Sequence, residues 1–180
     1  MSFHIERLPE EGANRSGIYH RVADRPNGVT VKTSDLPAGA TVLPEGTLLT
    51  EGTGGLYNAI AVVKVVETAG ASATEYAIAK GSFVKVGTSL IKNGSTNVAV
   101  TAVDTSDANK DVITVDATLG AKAVGDIVTE KVAGTPVGIT GEDVAIKKGQ
   151  NCFASLWIIA VVNKAIIPEP AVKPPLVQYV

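Results

Sequence analysis

Few residues in this chain are of a type that does chemistry at neutral pH, and their spacing sets none of them to work together. There is one Cys and there are two His among 180 residues. A Ser-His-Asp or Cys-His arrangement would need His4 or His20 folded against a serine or against Cys152, with a third group to orient the ring. Nothing near either histidine in sequence supplies that group. Cys152 has apolar neighbours, the setting of a buried and inert thiol. A single thiol forms no intrachain disulfide and no zinc site by itself. Asp104, Asp107 and Asp111 crowd the segment DTSDANKD and suggest calcium. An EF-hand loop, however, needs alternating ligands, a central Gly and a Glu at its twelfth position, and that spacing is missing. Asp, Ser and Asn in a strand connection are ordinary turn formers. Gly52, Gly54 and Gly55 fit neither the P-loop nor the dinucleotide fingerprint, since no Lys-Ser/Thr follows and the glycine spacing differs. Glu142 and Asp143 are adjacent, so on a strand they point to opposite faces and cannot readily share a proton. The expectation is a non-enzymatic protein with no catalytic, cofactor-binding or metal-ligating residues.

The surrounding sequence is that of a β protein. Hydrophobic residues make up 45% of the chain and aromatics only 4%, so the core must be built from Val, Ile, Leu and Ala. Runs such as VAVTAV (Val98 to Val103) and VITVDATL (Val112 to Leu119) lie between glycine turns. β-branched residues in short runs bounded by turn signals read as strands. Strands are also expected at Tyr76–Ala79, at Phe83–Val86 and through Leu90, with turns at Lys80-Gly81 and Gly87. LYNAIAVVKVVET (Leu56 to Thr68) and CFASLWIIAVVNKAII (Cys152 to Ile167) contain no Gly or Pro. Both are long enough for helices, but their Val-rich composition favours strands.

Proline and glycine mark the segment boundaries. Residues 1–35 are polar and interrupted, and are expected to form an extended arm lying along another surface. Two proline-glycine turns at 37–39 and 44–46 open a β unit. Pro168, Pro170, Pro174 and Pro175 fix φ and remove donors, which predicts an extended, polyproline-like tail. Such a tail would carry Leu176, Val177 and Tyr179 roughly 25 Å from the preceding strand, at about 3.1 Å per residue. These three residues are the candidate interface, expected to bury against a neighbouring subunit or another protein surface. The apolar ends predict a homo-oligomer, most simply a trimer. The formal net charge of −2 provides no global basic field, so neither nucleic acid nor membrane is an expected partner, despite Lys147 and Lys148. The first residues lack the apolar core of a secretory signal. The apolar window Leu156 to Val162 is shorter than the roughly 18 residues that span a bilayer.

Two blocks carry a resemblance. YAIAKGSFVKVGTSLI (Tyr76 to Ile91), followed by AVDTSDANKDVITVDATLGAKAVGDIVTE (Ala102 to Glu130), resembles head-decoration and head-fibre-type proteins of tailed bacteriophages and prophages. The shared features are a Lys-Gly-x-Phe turn and a D-x-I-x-V-x-x-x-L-G-x-x-x-x-G-D stretch, here Asp111 to Asp126. LPAGATVLPEGTLLT and LYNAIAVVKVV are similar to the barrel entry of those proteins, so the resemblance covers about 36–167. It implies a virion structural protein, assembled in the bacterial host cytoplasm, that attaches to the major capsid protein, commonly as a trimer. The expected architecture is all-β: a base β-barrel from 36–73 and 132–167, an inserted small β-barrel at 74–131, the arm at 1–35 and the Pro-rich tail at 168–180. The alternatives are a carbohydrate-binding β-sandwich module and a tail or baseplate subunit. The scattered aromatics, from Phe3 to Tyr179, offer no stacking platform for the first of these.

Overall fold

A computed structural model describes residues 16–94 and 96–180. The fold is all-β, as the composition predicts. The first third contributes β1 (Ile18–Asp24), β2 (Val29–Val31), β3 (Val42–Leu43), β4 (Leu48–Glu51), β5 (Leu56–Ala59) and β6 (Val62–Lys64). The middle adds β7 (Glu75–Ala79), β8 (Ser89–Asn93), β9 (Thr96–Asp104), β10 (Lys110–Val115) and β11 (Ile127–Thr129). The last part supplies β12 (Gly138–Thr140), β13 (Val144–Ala145), β14 (Cys152–Ala154), β15 (Leu156–Val162) and β16 (Val177–Tyr179).

The base is a curled eight-stranded sheet in the order β1-β15-β12-β4-β5-β2-β14, with β16 also pairing with β15. The apolar run from Cys152 divides at Ser155 into two strands serving different parts of this sheet. β14 pairs with β2, whereas β15 takes β1, β12 and β16 as neighbours. Leu156, Ala160 and Val162 are buried in the base cores and the residues between them are half-buried, so neither face of the strand is fully exposed, which suits its almost uniformly apolar sequence. Two glycines permit the close packing. Gly138 lies so near β15 that a Cβ there would fall on the Trp157 carbonyl oxygen. Gly46 adopts φ +80°, and its missing side chain leaves the space taken by Ile167, a backbone conformation that costs glycine little.

The second unit is a four-stranded sheet, β7-β10-β9-β8, together with the pair β11-β6. Isolated bridges Val65–Ile78 and Leu90–Glu130 join the two pieces. One apolar cluster fills the space between them, including Val63, Tyr76, Ile78, Leu90, Ile113 and Val128. The Tyr76 hydroxyl shares its one proton between the Ala73 and Gly120 carbonyls (2.8 and 3.0 Å), contacts Thr118 Oγ1 at 3.1 Å and accepts from Leu119 N at 2.9 Å. A buried polar tip with so full a set of partners organises the loop around it.

Four expectations change. Residues 18–31 are not an arm. Ile18, Val29 and Val31 are core residues of the base, because β15 and β14 offer them paired edges; residues 1–15 of the expected arm lie outside the described residues. The second unit begins before residue 74, since Ala61, Val63 and Val65 belong to its core. Its neck is the reciprocal pair Ala61–Glu130: Glu130 N donates to Ala61 O at 2.8 Å, and Ala61 N to Glu130 Oε2 at 2.9 Å. Phe83–Val86 is not a strand. Phe83–Lys85 is irregular and leads into a turn at Val86-Gly87, closed by Thr88 N donating to Lys85 O at 3.0 Å and by Lys85 N donating to Thr88 Oγ1 at 3.1 Å.

The tail is the fourth change. It does not project as a spacer: it crosses the neck, where Ala171 N donates to Thr129 Oγ1 at 2.9 Å. It then returns as β16, parallel to β15, with Val177 opposite Ala160 and Tyr179 opposite Val162. The prolines occupy the crossing, where no ladder bonds are required, and the apolar pentapeptide finds its surface on its own chain.

Candidate functional site

The most open part of the base is β1, an edge of the large sheet. It presents Tyr19 (55% exposed) and Val22 (65%) to solvent. Its register on β15 shifts at three places, irregularities of the kind that blunt an edge against indiscriminate pairing. Arg21 anchors the strand. Its guanidinium donates to Glu45 Oε1 at 2.7 Å, Gly141 O at 3.0 Å and Ser16 Oγ at 3.2 Å. It also lies 5.9 Å from the centroid of the Trp157 ring. Glu45 in turn accepts from Ser16 Oγ at 2.6 Å and Gly17 N at 2.9 Å, so the chain enters the described fold at a fixed point.

A groove of about 690 Å³ separates the base loop 37–44 from the second unit's 80–86 turn. Val42 and Val86 are exposed large apolar residues of its lining, and Phe83 and Val103 add further apolar surface. On its wall, Lys80 Nζ donates to Asp111 Oδ1 at 2.7 Å and to Thr105 O at 2.8 Å. A second hollow of about 320 Å³ shares Pro44 and residues 80–83 with this groove and reaches Glu45, Lys64 and Tyr179. Lys80 and Asp111 neutralise each other on this wall, and the exposed Val42 and Val86 give the groove its apolar contact surface.

The residues able to do chemistry are dispersed. His20 is exposed on β1, and His4 lies outside the described residues. Cys152 is buried in the base core, and desolvation raises its thiol pKa, which makes it a poor nucleophile. Asp104 Oδ1 accepts from Ser106 N and Asp107 Oδ1 from Asn109 N, at 2.9 and 2.7 Å. These backbone donors hold both carboxyls below their usual pKa and account for the aspartates as turn formers. Asp111 faces Lys80 instead, so the three do not converge. No group of three His, Cys, Asp or Glu residues suited to a metal occurs among the described residues. Asp143 accepts from Glu45 N at 2.7 Å, a tie between loops rather than a shared-proton pair with Glu142. Gly52, Gly54 and Gly55 border a short 3₁₀ turn at Thr53–Gly55.

Of the three candidate interface residues, Leu176 is 51% exposed, whereas Val177 is 3% exposed and packs in the base core. Tyr179 packs against that same core. Its hydroxyl is buried without a hydrogen-bond partner, and burial, aided by the charge of Glu169, raises its pKa. Lys173 pairs with Glu169 and lies 5.9 Å over the Tyr179 ring. Leu176 is thus the only one of the three that offers most of its side chain outward.

The sequence reading missed Glu130, the carboxylate at the neck. Burial raises its pKa, opposed by the bond from Ala61 N and by the charge of Lys85. A lone acid in IVTEK was its only signal. No protein-family model matches the chain, and neither a curated protein nor a solved structure matches it.

Proposed function

We propose that this chain is a non-enzymatic structural subunit of a tailed-phage or prophage virion. It decorates the head or forms the base of a head fibre through contacts with the major capsid protein and with its own copies, most simply as a trimer. Within that reading the base is a barrel-like foot, and the second unit is a small barrel closed through the bridges Val65–Ile78 and Leu90–Glu130.

The observation that carries the proposal is the edge strand β1, which exposes Tyr19 and Val22 while Arg21 and Glu45 hold it in place. A firmly held edge bearing large exposed apolar groups is suited to a preformed contact, because little ordering entropy remains to be lost on assembly. The sequence resemblance at Tyr76–Ile91 and Ala102–Glu130 supplies the identity of the partner.

The test is co-sedimentation of the purified chain with undecorated heads of the phage whose genes neighbour its own. Binding is expected, and Tyr19→Asp with Val22→Asp should abolish it while the fold is retained. Binding to tails, or to neither particle, would overturn the head assignment. Light scattering should report a trimer in solution or on the particle, and a species that is monomeric in both would remove the trimer.

A further inference from the structure

We propose that the groove between the two units receives the β1 side chains of a second copy of this chain, with Tyr19 and Val22 entering between loop 37–44 and the 80–86 turn. This contact rests on the reading of β1 as an assembly edge, and it names the surface that the edge meets. Within one chain the two surfaces do not fill each other: Tyr19 and Val22 stay exposed on β1, and Val42 and Val86 stay exposed in the groove. Nor is β1 free to turn toward its own groove, because the ladder to β15 and the Arg21–Glu45 pair hold it to the base. A concave apolar site and a fixed strand bearing large apolar side chains are thus separate surfaces of one molecule.

The chemistry of the two surfaces is complementary. The Lys80–Asp111 pair leaves the groove wall without net charge, so an aromatic ring and a valine can cover it without stranding an unpaired ion. A tyrosine buried at an interface also needs a partner for its hydroxyl. The carbonyls of Phe83 and Val86 accept no hydrogen bond among the described residues, and the Tyr19 phenol donates there while its ring covers Val42 and Val86. The rims carry opposite charge. Asp24 follows Val22 by two residues and Lys85 precedes Val86, and neither belongs to an ion pair among the described residues. Because strand and groove are different surfaces, each docked copy leaves one of each unused until a ring closes. A ring of three meets that condition.

The test replaces Tyr19 with the photoreactive analogue benzoylphenylalanine in the full chain, using a mixture of isotope-labelled and unlabelled protein. Irradiation should give cross-links between labelled and unlabelled copies that land on residues 37–44 or 80–86. Val86→Asp, at an exposed position that leaves the core untouched, should lower their yield about tenfold. Trp157 fluorescence confirms that the variant is folded. Cross-links confined to one chain, or between copies but outside the groove, would overturn the contact. So would an absence of cross-links, or a yield indifferent to Val86→Asp in folded protein. Head binding without these cross-links would remove the contact and leave the head assignment standing, and cross-links without head binding would do the reverse.

Discussion

The base and the second unit are built from the same residue types but assembled by opposite rules. In the second unit β7, β8, β9 and β10 lie close in sequence and pair among themselves around one core, with a tyrosine hydroxyl fastening the loop at its end. In the base, β1 pairs with β15, β2 runs parallel to β5 and antiparallel to β14, and two separate clusters make up the interior. Local pairing closes small loops, whereas the base must close very large ones before its contacts become favourable. The second unit is therefore expected to fold first and to lend order to the base through the Ala61–Glu130 neck and the tail that crosses it.

The strongest way to break this comparison is to hollow out the second unit. Ile78→Ala, at a fully buried position, should cost about 2–5 kcal/mol. Hydrogen exchange should show the loss in β7–β10, while Trp157, the only tryptophan, reports the base. Equal losses in both would show that the two units unfold as one. Val177→Ala addresses the base from its last strand and should cost about 1–3 kcal/mol, read as an earlier Trp157 transition in urea. No change in that transition would mean that β16 adds nothing to the sheet. Tyr76→Phe leaves Leu119 N without its acceptor and should cost about 1–2 kcal/mol, with faster exchange confined to residues 116–120.

The smallest effect is expected at the neck. The Glu130 pKa is raised in the folded state, so its contribution to stability is fully present below the ordinary glutamate value and is lost as pH rises through the raised one. Glu130→Gln keeps an acceptor for Ala61 N and removes the charge. It should be more stable than the parent at pH 7, and the gap should close as the solution is acidified. A gap that widens toward acid would reverse the sign of the argument.

The sequence made the strands legible where turn residues bracket them, as at Tyr76–Ala79 and Val112–Val115, and it identified the apolar stretch from Cys152 as strand rather than helix. It did not make partners legible. Nothing in IYHRVAD indicates that its partner is WIIAVV, because alternation specifies a buried face and not the strand alongside. The tail shows the same limit: four prolines predict an extended spacer but not the bends at 171–172, the turn at 175–176 or the parallel berth beside β15, which exists only once the base has formed. At the candidate site, Val42, Phe83 and Val86 could be read as apolar residues near turns. The groove could not, since it lies between segments 37–44 and 80–86 that meet only through the fold.

The placement of β1 also has a consequence for the order in which the protein is made. This strand leaves the ribosome early, but its partner β15 is among the last segments to follow, at synthesis rates of about 5–20 residues per second. Throughout that interval β1 is an unpaired strand, while the second unit behind it can already close. The three register irregularities along β1 then protect the nascent chain as much as the finished protein, by making its backbone a poor template for indiscriminate strand pairing while its exposed side chains stay available for contact.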